Sequence, residues 1–238
     1  MAGMIAPALD LFKGRHFDRD VIVLCVRWYL SFKLSSRDLV QMMSERGIAL
    51  AHTTILRWVQ RYVPDFEKRG SQYARSVGGS WRCDETYIQV KGRWTYLYRA
   101  VDKQGRTVDF LLSERRDVAA AKRFFRNALK NNGTPRVVTL DAYAASHRAI
   151  AELKSVGTVP RRVRIRSSKY LNNVVEQDHR RIKQRISPML GFKRFDTAAV
   201  TITGIELAQK IKKDQFKIGK LSGPPRTAPE IWAAVLAA

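Results

Sequence analysis

Three acidic residues have the type and spacing that phosphoryl-transfer chemistry would need: Asp84, Asp141 and Glu176. Asp84 alternates with Thr86, Ile88 and Val90 in a stretch of period two, on a strand face that is otherwise apolar. A carboxylate there is costly unless it is paired or bound to a metal. Asp141 ends the short apolar run 136–140, the end of a strand where α/β sheets carry ligand-binding groups. Glu176 opens a helix-forming stretch, and Lys183, seven residues on, returns to nearly the same angle. His179 and Arg180 fall between them on that face. Three such carboxylates offer hard oxygen ligands for two divalent cations. Two ions about 4 Å apart suit in-line displacement at phosphorus. Other acids compete less well. Glu85 points away from Asp84 by strand parity, Asp102 sits at a turn, Asp109 lies in the outer hairpin, and Asp178 is rotated off the Lys183 face.

The elements that must position these groups are legible in the periodicity. Segments 81–90, 94–102 and 106–113 read as strands joined by Lys91-Gly92-Arg93 and Lys103-Gln104-Gly105, an antiparallel meander. A helix over 117–130, a strand over 136–140, a helix over 144–153, a strand near 163–165 and a helix over 173–186 follow. That order predicts an α/β fold: a ribonuclease-H-like mixed sheet flanked by helices.

Upstream, the pattern is all-helical. Helices are expected over 19–32 and from Ser35 or Ser36 to Glu45, with Gly47 ending the second. A third runs from near Thr53 to Val63, where Pro64 should stop it. On this third helix Ile55, Val59 and Tyr62 share one face, while Thr54, Arg57 and Arg61 share the other with Gln60 beside them. Helix, turn, then a helix with a basic face is the helix-turn-helix pattern, whose second helix enters the major groove. An ordinary three-helix bundle with solvated arginines gives the same pattern. The expected organisation is a helix-turn-helix domain at 1–66, a linker at 67–80, a catalytic domain at 81–195 and a mainly helical extension at 196–238. In that extension 231–238 reads as a packing helix or a dimer contact.

Composition narrows the partner. The 238 residues carry 44 Lys+Arg against 21 Asp+Glu, a formal charge of +23. The excess runs through the whole chain and steepens toward the C-terminus. Such a field repels itself in the compact state, and a polyanion offsets that cost; nucleic acid does so by releasing condensed counterions. Arg161, Arg162, Arg164, Arg166 and Lys169 form an acid-free basic stretch suited to holding phosphates, or simply a solvated loop. The longest apolar runs, 21–26 and 231–238, fall far short of the ~20 residues a membrane helix requires. The apolar start lacks a basic leader, so no secretory signal is expected. Two cysteines, Cys25 and Cys83, are too few for a disulfide framework or a cysteine-rich zinc site, and they suit a reducing cytoplasm. No Walker-type or dinucleotide loop is present.

The stretches Phe12-Lys13-Gly14-Arg15-His16-Phe17, Trp81-Arg82-Cys83-Asp84-Glu85-Thr86-Tyr87 and Tyr96-Leu97-Tyr98-Arg99-Ala100-Val101-Asp102 resemble bacterial insertion-sequence transposases of the DDE type. So do Tyr170-Leu171-Asn172-Asn173-Val174-Val175-Glu176-Gln177-Asp178-His179-Arg180 and Leu190-Gly191-Phe192-Lys193. The nearest group is the insertion-sequence-six family, and 34 residues separate Asp141 from Glu176, within one of the spacing that names the D-D-35-E class. The resemblance implies that Asp84, Asp141 and Glu176 are the metal-binding triad, holding two Mg²⁺ for which Mn²⁺ can substitute. It implies that Lys183 contacts DNA near the element's end. It further implies double-stranded DNA partners (element ends and target), a homo-oligomer of at least two chains, no membrane partner, a cytoplasmic, nucleoid-associated location and replicative movement. One departure is that Asp141 leads into Ala142-Tyr143-Ala144 where some members carry Lys-Ala-Pro. A non-catalytic DNA-binding regulator and a structure-selective nuclease of the same fold are the rival readings.

Overall fold

Ser35 accepts from the Asp38 backbone N–H at 3.1 Å while Asp38 accepts from the Ser35 backbone N–H at 2.7 Å, a reciprocal capping box. It fixes the start of α2 (Ser36–Ser44) after α1 (Arg19–Ser31). These helices belong to a computed structural model that describes residues 10–141, 143–168, 173–217 and 227–237. The chain divides into two compact units, one formed by 1–75 with 184–238, the other by 76–183.

In the first unit α3 (His52–Ser71) continues through Pro64, where the sequence had placed its end. Proline removes one helical hydrogen bond and crowds the preceding turn. The C-terminal half of α3 nevertheless buries Phe66 completely, between Tyr62 (6.0 Å between ring centroids) and Trp232 (5.9 Å). That packing offsets the local cost. Residues 67–71 are therefore helical rather than linker. Helix α7 (Phe195–Lys212) buries residues on every side, from Ile202 and Ile205 to Leu207 and Ala208, as expected of a helix enclosed by α1, α3 and α8 (Ala228–Ala237). Gln60, placed by sequence on the polar face of α3, donates to Thr197 O and Thr201 Oγ1 at 3.1 Å each. Because α7 packs on α3, the compact units do not follow the boundaries 66, 80 and 195 that composition had suggested.

The second unit is a five-stranded mixed sheet, in order β3-β2-β1-β4-β5. The strands are β1 (Ser80–Val90), β2 (Arg93–Asp102), β3 (Thr107–Ser113), β4 (Val137–Leu140) and β5 (Arg164–Ser167). The first three form the expected antiparallel meander, while β4 runs parallel to β1 and to β5. Helices α4 (Val118–Asn132) and α5 (Ala144–Ser155) lie between strands in the chain, and α6 (Asn173–Ile186) follows β5. One sheet face carries the core: Trp81, Cys83, Tyr98, Val138 and Leu140 pack with Phe124, Phe125 and Ile150 of α4 and α5. The other face bears Arg82, Asp84, Arg99 and Thr139, and α6 meets it through an Arg99–Asp178 ion pair. This is the element order and mixed sheet expected of a ribonuclease-H-like fold.

Candidate active site

Strand register brings the first two acids together. Cys83 pairs with Leu140, the last residue of β4, so Asp84 and Asp141 are the next step along two adjacent parallel strands. Where β4 stops, β1 loses its neighbour, and side chains from both sheet faces converge at that open corner. Asp84, Glu85 and Asp141 each offer a carboxylate oxygen, and the three lie within 4.8 Å of one another. Strand parity puts Glu85 on the face opposite Asp84. It does lie there, accepting from Ser146 Oγ at 2.5 Å and from Arg116 Nη2 at 3.1 Å, but its carboxylate still reaches the corner. The only sequence signal was two consecutive acids on a strand whose parallel neighbour ends beside them.

The turn after β4 is tied down locally. The Tyr143 backbone N–H donates to Asp141 Oδ1 at 3.1 Å. His147 Nε2 lies 2.7 Å from the Asp141 carbonyl, which can only accept, so that nitrogen carries the proton. Arg116 stacks over Tyr143 at 3.6 Å from the ring centroid, and the Tyr143 hydroxyl donates to the Arg116 carbonyl at 2.8 Å.

Helix α6 approaches Asp84 from the other face. Arg99, opposite Asp84 in the β1–β2 register, donates to Asp178 Oδ2 at 2.8 Å. His179 Nδ1 lies 3.7 Å from Asp84 Oδ2, longer than a hydrogen bond. Burial, with Arg99 and Lys183 adding, pulls the His179 imidazole down to about 3, so it is neutral at physiological pH. Sequence placed His179 among phosphate-binding groups on an open face; here it is buried against the sheet. Arg180 and Lys183 are exposed on α6, as is Glu176. Glu176 lies outside the 4.8 Å cluster but acts on Asp84 as a neighbouring negative charge.

The electrostatics are those of an acidic corner in which Arg116 pairs with Glu85 only. Burial raises the Asp84 carboxyl to about 7, and the charges of Asp141, Glu85 and Glu176 add to the rise. Burial also raises Glu85, against the bonds from Ser146 and Arg116. Among the described residues, neither Asp84 nor Asp141 has an arginine or lysine partner. An all-oxygen set of mutually repelling carboxylates fits a hard divalent cation.

The remaining predicted contacts are placed as follows. Arg57 and Arg61 are exposed on α3 and Thr54 is half-buried. Arg161, Arg162, Arg164 and Arg166 are exposed around β5, while Lys169 lies outside the described residues.

A family described as a DDE domain matches residues 78–215, which contain this acidic corner and α6. The chain belongs to the DDE transposase family. It is 37% identical over 205 residues to the transposase for insertion sequence-like element IS431mec of Staphylococcus aureus, spanning 86% of this chain and 90% of that one. It is 36% identical over 205 residues, with the same coverage, to the transposase for insertion sequence element IS257 in transposon Tn4003 of the same organism. Among solved structures it is similar to the HTLV-2 integrase catalytic core domain in complex with magnesium (TM-score 0.42, 15% identity, 55% of this chain and 86% of that one). It is also similar to the BIV integrase catalytic core domain (TM-score 0.42, 18% identity, 66% and 94%). No helix among the described residues is long and apolar enough to cross a membrane.

Proposed function

We propose that this transposase cuts one DNA strand at each end of its element and joins the freed 3′-OH to target DNA, with Asp84, Asp141 and Glu176 as its catalytic acids. The observation that carries the reading is the convergence of Asp84 and Asp141 oxygens within 4.8 Å from strands separated in the chain by β2, β3 and α4. Asp84, Asp141 and Glu176 would hold two Mg²⁺, with Mn²⁺ able to substitute, and Glu85 borders them. When bound, such ions supply Lewis-acid stabilisation of the attacking and leaving oxygens of an in-line displacement.

The chain's own groups position the DNA. Lys183 and Arg180, exposed on the helix that carries Glu176, hold backbone phosphates beside the acids. Arg162, Arg164 and Arg166 extend that hold around β5, Lys169 is assigned to the same basic stretch by sequence, and together they set the salt dependence. Thr54, Arg57 and Arg61 read the terminal repeat from the major groove. His179, neutral and buried, packs beside Asp84 and attracts no phosphate. No side chain forms a bond to DNA, so no protein–DNA adduct accumulates. The working form is a homo-oligomer that brings two ends together, acting on double-stranded DNA in the bacterial cytoplasm, at the nucleoid, by a replicative route.

The experiment incubates labelled end fragments, a plasmid target and Mg²⁺ with wild type and with Asp84→Asn. Joined products from wild type alone support the reading. Joining that survives the substitution overturns the site, and cleavage without joining makes the protein a nuclease.

A further inference from the structure

Beyond Cys83, β1 pairs with β2 alone, and the two continue as a hairpin with unlike faces. Thr86, Ile88, Val90, Thr95 and Leu97 are buried on one side. The other side shows Tyr87, 45% exposed, and Trp94, 60% exposed. Their rings meet edge to face at 6.2 Å, and Tyr87 also touches Tyr96 at 5.4 Å. Trp81 and Trp232, by contrast, are each 1% exposed, so the hairpin tryptophan is displayed where others are enclosed.

This aromatic face begins at the acidic corner. Glu85 lies on it, two residues before Tyr87, which is about 7 Å along a strand. One guanidinium links them: Arg116 donates through Nη2 to Glu85 Oε2 at 3.1 Å and through Nη1 to the Tyr87 hydroxyl at 2.9 Å. Lys91 and Arg93 are exposed at the tip. Glu85 is the one acid on this face of the hairpin, and Arg116 already pairs with it.

We infer that Tyr87 and Trp94 form a stacking platform for an unpaired base of the DNA strand held at the acids, one or two nucleotides from the scissile phosphate. The inference rests on the DNA-processing reading above. Exposed π faces among cations are the combination that binds single-stranded nucleic acid without reading sequence. Two nucleotides stacked at about 3.4 Å each span the distance from Glu85 to Tyr87. A second copy of the chain fits less well. A stable interface covers about 800 Å² per partner with charge depleted at its centre, whereas two half-exposed rings fall well short of that and stand among Lys91, Arg93 and Arg116.

The test uses the full chain, Ca²⁺ in place of Mg²⁺, and two versions of an end fragment. One version is fully paired; the other has two unpaired nucleotides at the cut, one of them 2-aminopurine. Trp94→Leu is expected to weaken binding of the frayed fragment on the order of tenfold. It should leave the paired fragment unchanged and abolish 2-aminopurine quenching, while Trp94→Phe retains most of both. Equal loss on both fragments, or no loss on either, overturns the platform. A switch from dimer to monomer in light scattering assigns the patch to a second copy and also overturns it. Strand cleavage of the paired fragment by wild type but not by Asp84→Asn tests the underlying reading separately. If cleavage holds and Trp94→Leu shows no fray-specific defect, only the platform fails.

Discussion

Arg99 Nη2 donates to Asp178 Oδ2 across 2.8 Å, with the Arg99 side chain 0% and the Asp178 side chain 5% exposed. Arg99 stands opposite Asp84 on the neighbouring strand, and Asp178 is two residues from Glu176 on α6. The pair therefore fastens the helix that carries one acid to the sheet that carries the others. Removing one partner deprives the other of its closest buried counter-charge, at a cost of about 3–5 kcal/mol. Arg99→Met and Asp178→Leu should each lower unfolding stability by that order in urea titrations. The double variant should recover more than half of the loss, since an apolar pair leaves neither member of the 2.8 Å pair buried without the other.

Glu85 and Glu176 are separated by substitution. On the metal-holding role proposed for it, Glu176→Gln should reduce strand cleavage by roughly 100-fold or more. Glu85→Gln removes a neighbour that Ser146 and Arg116 already hold, and should reduce it by about 10–100-fold, with partial recovery at raised Mn²⁺. The reverse ranking in a cleavage assay would make Asp84, Glu85 and Asp141 the working set.

Metal binding has a signature apart from activity. Among the described residues neither Asp84 nor Asp141 has an arginine or lysine partner, so a divalent cation bound to the folded chain would relieve repulsion that the unfolded chain does not have. Ligand at 100 times its Kd adds about 2.7 kcal/mol. Saturating Mg²⁺ or Mn²⁺ should thus raise the melting temperature by about 5 °C or more. Chelator should reverse the rise, and Asp84→Asn should abolish it.

Much of this arrangement was legible because local rules and tertiary packing agree. The helix at 173–186 was predicted with the limits α6 has, and the meander followed from period-two segments joined by Gly92 and Gly105 turns. Ser35 was one of two named caps. What escaped the sequence depends on partners far along the chain. Pro64 breaks helices in isolation, but α3 passes through it because Phe66 has Trp232 to pack against. Gln60 looked like a groove-facing polar residue until α7 supplied Thr197 and Thr201. The helical wheel put His179 beside Arg180 and Lys183, yet could not say which edge of that arc meets the sheet. Strand parity correctly separated Glu85 from Asp84, and it misled only because parity is silent on where β4 ends.

Gly204 tests the packing of the first unit. A Cβ at this position would lie 2.8 Å from both Leu30 Cδ atoms and 2.9 Å from Val63 Cγ2. Leu30 and Val63 are fully buried, so neither can swing into solvent to make room. Overpacking of this kind costs about 1–3 kcal/mol. Gly204→Ala should lower stability by that amount in urea titrations. Gly70→Ala, whose nearest contacts are 3.3 Å from Leu207 and Phe216, should cost less. A Gly204→Ala protein as stable as wild type would mean that α1, α3 and α7 pack less closely than described.

The thiols offer the last check, because burial is the largest influence on both, with the charges of Glu85 and Asp84 adding at Cys83. Cys25 is 0% and Cys83 4% exposed, and both are free. Burial lifts the Cys25 thiol to about 11, so at pH 8 fewer than about one in a hundred molecules would carry the thiolate that reacts with disulfide reagents, even were a path open. The native protein should therefore show no fast thiol titration at pH 8, and both thiols should react within the unfolding time once denaturant is added. One equivalent titrating rapidly in buffer would place a cysteine at the surface and contradict the packing of α1 or of β1.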